Sequence, residues 1–346
     1  MSDLGARFAA YLQHRWPQAS SVEVETLERI HGGASRETYR VTVRTIEGGR
    51  ESEQRLILRR DPPSSLIETD RATEYHAYEA FYGTRVPVPR PLFLETDPRW
   101  LDRPFFVMEQ VLDAVSDGRL LAQKPYVDHV ETIGEQKWRI LGEIARSDPA
   151  SLATRLEAPA LESCWRRELD YWERVIDEDE LTPQPIARAA IRWLRRNPPP
   201  PPRRLSVVHG DYRTGNFLFD AEGRIRAILD WEMCHLGDAV EDLAWAFDPL
   251  WSWPDRERPG KLIPREQALA IWQQASGIEI DARALGWWEI FASLKGLAIW
   301  ISSGREYADG RNRDLIMVLA SWFPTGVHDR VLVERLAPTG GVDDEA

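Results

Sequence analysis

The chain carries His209-Gly210-Asp211-Tyr212-Arg213-Thr214-Gly215-Asn216, and Asp230 follows Asn216 by fourteen positions, just after Ile228-Leu229. An Asp and an Asn five positions apart fit one loop, the carboxylate facing a hydroxyl nucleophile and the amide facing a metal ion. A second carboxylate, delivered by the end of a following hairpin, reaches the other side of a magnesium–triphosphate unit. Magnesium takes hard oxygen ligands and keeps several waters, so two or three side-chain oxygens suffice. Residue types and spacing therefore outline a phosphoryl-transfer site. The competing reading is that His209, Asp211 and Asn216 are turn residues between strands, where such residues collect.

Those residues need elements to hold them. Leu4, Phe8, Tyr11 and Leu12 are spaced for a short amphipathic helix over residues 4–15. Alternation takes over in residues 22–60. Thr38–Val43 and Arg55–Arg59 read as antiparallel strands joined through Glu47-Gly48-Gly49-Arg50. Ahead of them, Gly32 and Gly33, with Ser35 close by, let the backbone approach a phosphate and aim N–H groups at it. The same Gly-Gly pair is equally an ordinary hairpin turn. Asp70 can cap a helix running to about Phe81, with Tyr75, Tyr78, Phe81 and Tyr82 as its apolar face. Glu74 borders that face and Glu79 points toward solvent.

The proline-rich stretch Val86–Pro91 makes a stiff connector, leading through Leu92-Phe93-Leu94 to a strand over Phe105–Val111. Helical periodicity dominates from about residue 112, clearest over Ile133–Ala145 and Cys164–Ile176. Pro198–Pro202 form a polyproline spacer ahead of the strand Leu205–Val208. Pro198-x-x-Pro201-x-Arg203 also fits an SH3-type ligand. Asp238 and Glu241 form a capping-box-like pair. Residues 265–336 are helical and hold Trp272, Trp287, Trp288, Trp300 and Trp322, which are expected to fill a core. The acidic tail from Pro338 is expected to be disordered.

With 346 residues and 43% hydrophobic content the chain can bury a sizeable core. No apolar run reaches the ~18–20 residues of a membrane span, and the first residues do not resemble a signal peptide. A net charge of −12 argues against a general nucleic-acid binder. Two cysteines, Cys164 and Cys234, cannot build a disulfide framework, so a reducing cytoplasm is expected. Cys234-His235 lacks the spacing of a zinc motif and reads as packing.

The order of site residues resembles the protein-kinase set H-R-D-x-x-x-x-N followed by D-F-G, with Gly210 for Arg and Asp230-Trp231-Glu232 for D-F-G. His-Gly-Asp together with Gly237-Asp238-Ala239-Val240-Glu241-Asp242-Leu243-Ala244 resembles the aminoglycoside phosphotransferase family, kinase-fold enzymes acting on small molecules. Ala239 stands where that family usually has Pro. The resemblance covers nearly the whole chain and is strongest over residues 205–245. It implies an α+β, protein-kinase-like two-lobe fold. Residues 1–111 would be a nucleotide-binding N-lobe with an antiparallel sheet, and residues 112–337 a mostly helical, acceptor-binding C-lobe. The hinge would lie near 109–114, and 338–346 would be the tail.

The resemblance also implies roles. Asp211 accepts or orients the acceptor hydroxyl proton, and Arg213 meets the moving phosphoryl group. Asn216 and Asp230 hold Mg2+. Arg59, in the place of the usual strand lysine, binds the α/β-phosphates of ATP (or GTP) with Glu74 as its anchor. Arg is bidentate where Lys is a point charge, so phosphate geometry is expected to differ. Gly32, Gly33 and Ser35 cover the phosphates. Backbone groups at Glu109 and Val111 receive the adenine edge. His209 is read as bracing the loop, and one or two tryptophans as lining the acceptor pocket.

Gly33–Tyr39, Leu58-Arg59-Arg60 and Asp230-Trp231-Glu232 resemble a branch whose members are fused to acyl-CoA dehydrogenases, some of which phosphorylate hydroxyacyl-CoA. The acceptor is thus a small-molecule hydroxyl, with hydroxyacyl-CoA favoured and an aminoglycoside as the alternative. Arg305, Arg311 and Arg313 either meet a CoA phosphate or form a solvated helix end. A nucleotide-binding pseudokinase or scaffold is the reading from a different class. Oligomeric state is left open.

Overall fold

The computed structural model describes residues 3–30, 37–61, 71–253 and 255–337. Helix α1 (Asp3–Arg15) buries Phe8, Tyr11 and Leu12, as the spacing predicts. Five antiparallel strands follow: β1 (Ala19–Ile30), β2 (Glu37–Glu47), β3 (Arg50–Arg60), β4 (Pro91–Glu95) and β5 (Phe105–Glu109), in the order β1-β2-β3-β5-β4. The β2–β3 hairpin turns through Gly48 and Gly49, whose φ values of 56° and 80° are those of a tight two-residue turn. Strand alternation then sorts the residues of β3. Leu56 and Leu58 join the core beneath α1, while Ile57 belongs to the core on the other side. Arg59 shares the Ile57 face and meets helix α2 (Arg71–Phe81).

β5 ends at Glu109, two residues short of the expected strand. The chain turns off toward Asp113, whose φ of 56° cannot continue a strand. A three-stranded sheet is built from β6 (Ala114–Val115), β8 (Phe217–Asp220) and β9 (Ile225–Ile228). β7 (Ser206–Val208) pairs with β10 (His235–Gly237). Helices make up the rest: α3 (Val130–Arg146), α4 (Ala150–Ala153), α5 (Cys164–Asp179), α6 (Pro185–Arg196), α7 (Ala239–Ala246), α8 (Pro249–Ser252), α9 (Arg265–Ser276), α10 (Ala282–Ala308) and α11 (Leu315–Leu336).

One core runs without a break from Ile57, Tyr78, Phe81 and Phe106 into Trp138, Trp172, Trp245, Trp272, Trp287 and Trp288. Most of the tryptophans therefore pack as expected. Trp322 does not: it is 75% exposed, in a stripe with Leu315, Ile316, Leu319 and Phe323 on the outer side of α11. Helix α11 buries the other face of its turns, through Met317, Val327, Val331 and Leu332. The basic cluster is largely engaged, since Arg311 pairs with Glu306 at 2.6 Å and Arg305 donates to the Glu180 carbonyl. No described helix is long and apolar enough to cross a membrane.

Candidate active site

The loop after β7 is shaped by its glycine. Gly210 has φ 86°, and a Cβ there would collide with the Met233 carbonyl. Side-chain size is thus limited where kinases carry Arg. His209 is buried and braces the loop: Nδ1 accepts from the Asp211 N–H at 3.1 Å and Nε2 donates to the Leu229 carbonyl at 2.9 Å. Burial holds its pKa down, to about 4, so the ring is neutral.

Asp211 receives three donors. Trp245 Nε1 reaches Oδ1 at 2.8 Å, Arg213 Nε reaches the same oxygen at 3.2 Å, and Asn216 Nδ2 reaches Oδ2 at 2.6 Å. Burial raises the Asp211 carboxyl above its ordinary range against the pull of Arg213. The Arg213 guanidinium also lies 5.0 Å from the centre of the Trp251 ring. Asn216 gives its amide N–H groups to Asp211, to the backbone carbonyl as well as the carboxylate, which leaves its Oδ1 free to accept.

A second cluster faces this loop. Arg59 forms an ion pair with Glu74 at 2.9 Å and donates to Asp230 at 2.9 Å. Glu74 is fully buried, so it is no solvated helix charge. Asp230 sits at the end of the β9 hairpin with φ 68°, and its N–H donates to the Tyr78 hydroxyl at 3.0 Å. Burial pushes its carboxyl up, and Arg59 outweighs that, holding it below the usual range. The field of Asp230 in turn raises the Asp211 carboxyl. Trp231 ties the clusters together, stacked on Phe81 of α2 at 4.6 Å and against the His209 ring at 4.5 Å.

The donor set suits magnesium. Asn216 Oδ1 and Asp230 Oδ2 are hard oxygens, and Asp230 Oδ2 makes no hydrogen bond among the described residues. Glu109 closes β5, its N–H donating to the Arg90 carbonyl at 2.9 Å, while the Val111 N–H has no partner among the described residues. Gly32, Gly33 and Ser35 lie outside the described residues, as does Asp70.

Sequence reasoning missed the supports behind the loop. Asp242 accepts from the His209 and Gly210 N–H groups at 2.6 and 2.9 Å. Lys295, buried in α10, bridges the Gly210 carbonyl at 2.7 Å and Glu241 at 3.2 Å. The Gly-Asp signature therefore clamps the loop carrying Asp211. Asp238 caps α7 through the Val240 N–H, but Glu241 turns to Lys295 and His235 instead of closing a capping box. Cys234 is buried and free, and His235 forms ion pairs with Glu241 at 3.1 Å and Glu168 at 3.6 Å. Only the repeated acid spacing from Asp238 to Asp242 hinted at these contacts, since their partners are remote in sequence.

A five-stranded antiparallel lobe, a helical lobe and a paired Asp–Asn loop opposite an Arg–Glu–Asp bridge define a protein-kinase-like fold. The profile of the Phosphotransferase enzyme family matches residues 26–284, and the chain belongs to that family. A Ralstonia eutropha protein assigned as an aminoglycoside phosphotransferase superposes with a TM-score of 0.70 at 19% identity, covering 95% of this chain and 97% of that one. The GDP complex of aminoglycoside 2'-phosphotransferase-IIIa gives 0.60 at 14% identity, covering 96% and 98%. Among curated proteins, Acyl-CoA dehydrogenase family member 11 of Gallus gallus is 29% identical over 70% of this chain and 32% of its own length. Its Mus musculus counterpart is 26% identical over 88% of this chain and 39% of its own length. The chain thus spans about a third of these relatives.

Proposed function

We propose that the protein transfers the γ-phosphoryl group of ATP (or GTP) to a hydroxyl of a small molecule, with hydroxyacyl-CoA as the acceptor class. The carrying observation is the Asp211 carboxylate, fixed by Trp245, Arg213 and Asn216 opposite the Arg59–Glu74–Asp230 bridge. Phosphoryl transfer passes through a loose transition state, so positioning and charge neutralisation do most of the catalysis. Asp211 takes the acceptor proton, and its raised pKa brings it nearer to a useful base. Arg213, next to Asp211, meets the charge on the transferred group. Arg59 holds the α/β-phosphates, oriented by Glu74. Asn216 and Asp230 would hold Mg2+, which neutralises phosphate charge when bound. Gly32, Gly33 and Ser35 close over the phosphates, and the backbone at Glu109 and Val111 takes the adenine edge at a hinge between a 1–111 lobe and a 112–337 lobe.

The acceptor assignment is supported by relatives named as acyl-CoA dehydrogenase family members. Structural neighbours include a complex with ADP and hygromycin B, which supports a nucleotide donor and keeps aminoglycosides as the second acceptor class. The scaffold reading rests on Arg59 standing for Lys, and Arg59 keeps a helix Glu partner at 2.9 Å. Two buried free thiols suit a reducing cytoplasm. Purified protein with magnesium-ATP, offered hydroxyacyl-CoAs, aminoglycosides and simple alcohols, tests this by mass spectrometry of the products. Phosphorylated hydroxyacyl-CoA is expected. Transfer to aminoglycosides alone overturns the acceptor, and nucleotide binding without any transfer overturns the enzyme reading.

A further inference from the structure

Helix α11 carries two apolar faces, where a surface helix ordinarily carries one. Met317, Val327, Val331 and Leu332 point into the protein. On the other side Leu315, Ile316, Leu319, Trp322 and Phe323 recur at helical intervals, with Val318 beside them, and all six are between 38% and 75% exposed. At ~200 Å² for a whole residue of this size they present roughly 700 Å² of apolar surface. The largest apolar patch on a typical monomer is about 300–600 Å². The stripe is therefore more than a solitary soluble chain ordinarily leaves open.

The chain's own tail does not supply a cover. Residues 338–346 bring Pro338, Val342 and Ala346 together with Asp343, Asp344 and Glu345. Three small apolar side chains cannot shield two aromatic rings and four branched aliphatic residues. A helix lying on an anionic membrane carries Lys and Arg along its polar margins. Here Arg313 and Asp314 precede the stripe, and Asp329, Arg330 and Glu334 follow it, on a chain of net charge −12. That mixture of signs does not favour a lipid surface.

Size and symmetry favour a second copy of the chain. A standard protein interface buries about 800 Å² on each partner, close to what the stripe offers. A twofold dimer uses one patch on both subunits, so the patch must complement itself. Leu319 stands at the middle of the stripe, with the smaller side chains before it and the rings after it. Turning a second α11 antiparallel about an axis at Leu319 sets Leu319 against its own copy. Ile316 then meets Trp322 of the second copy, and Leu315 meets Phe323. Every ring faces a branched aliphatic side chain, which suits the ~8–10 Å spacing of packed helices. A parallel arrangement would put ring on ring at one end and leave a wedge at the other. We infer that the outer face of α11 is a homodimer interface, with two copies of the segment Leu315–Phe323 paired antiparallel across a twofold axis.

The test is sedimentation velocity of the full chain from about 1 to 200 μM, since interfaces of this size reach micromolar affinity or better. It reads mass alone, so it stands whether or not phosphotransfer is found. The mass should rise with concentration from 39.8 kDa toward twice that value. Leu319→Glu would oppose two carboxylates on the axis and should weaken the dimer about tenfold or more. Ile316→Lys and Trp322→Glu should each do the same, and an equimolar mixture of those two should recover more dimer than either alone, because the antiparallel register brings the new charges together. Val127→Ser, which alters an exposed aliphatic residue away from α11, should change nothing. All three stripe positions are exposed, and thermal melts confirm that the variants fold. A protein that stays monomeric at 200 μM overturns the inference, and flotation of that monomer with phosphatidylcholine vesicles would assign the stripe to a lipid surface. A dimer that the stripe variants leave intact also overturns it, as does a mixture that recovers nothing.

Discussion

Arg59 is the residue on which both halves of the site converge. Its guanidinium fork holds Glu74 and Asp230 at once, each at 2.9 Å. A lysine ammonium has the charge without the fork, so it cannot reproduce both contacts from one position. Removing the side chain leaves Glu74 buried with its principal cation gone, which is costly in itself. Arg59→Ala should therefore weaken magnesium-ATP binding, and Arg59→Lys should recover part of the loss. Calorimetric titration of both variants decides this. Unchanged affinity in both would move the phosphate contact elsewhere, and Arg60 is already engaged with Glu37 at 2.5 Å. At this scale the sequence was informative because spacing on one loop and alternation on one strand are local properties. Asp211, Asn216, Asp230, Arg59 and Glu74 all come together as expected. Trp245, Tyr78 and Lys295 were not legible, because each reaches the site from a distant element and carries no local signal.

The elements behind the loop are joined by charge as well as by apolar packing. His235 on β10 stands between Glu168 of α5 and Glu241 of α7. Burial lowers the imidazole pKa, but the two carboxylates outweigh it and raise it to about 9. A histidine whose folded pKa exceeds its unfolded value of about 6.5 contributes stability that is fully present below pH ~6.5 and lost as pH rises toward the folded value. The difference corresponds to about 3 kcal/mol, as an order of magnitude. Wild type should lose stability between pH 6.5 and 9, and His235→Gln should lose distinctly less over the same interval. Urea unfolding at the two pH values measures both. Equal losses would show that the cluster does not link α5, β10 and α7 through a proton. Periodicity located α5 and capping residues marked the start of α7, but β10 was not foreseen, and the adjacent Cys234-His235 pair gave no hint of the acids that flank the ring, which arrive from other elements.

At the scale of the whole molecule, the larger of two cores runs from one face of the sheet into the tryptophan-rich helices, the smaller lies between the other face and α1, and Arg59 of the sheet meets Asp230 of the helical part at the site. That placement was legible from motif order: strand, helix, strand, then helices, loop and hairpin. The exposed side of α11 was not, because an apolar stripe looks the same in sequence whether it is buried or bare. The meeting of the two parts also sets what magnesium should do. Asp230 Oδ1 is bound to Arg59 and Oδ2 makes no hydrogen bond among the described residues, whereas Asp211 is saturated by Trp245, Arg213 and Asn216. Magnesium-dependent nucleotide binding should therefore depend on Asp230 and not on Asp211. Without Asp230, triphosphate charge would lie poorly neutralised beside Asp211, a like-charge conflict in a partly dry cleft. Asp230→Ala should abolish the increment that magnesium adds to ATP affinity, while Asp211→Asn should keep it and lower turnover about a hundredfold or more. Thermal shifts with ATP, with and without magnesium, read the increment through ligand-linked stabilisation. An Asp230→Ala protein that responds to magnesium as wild type does would remove the metal role, and with it most of the case for catalysis at this cleft.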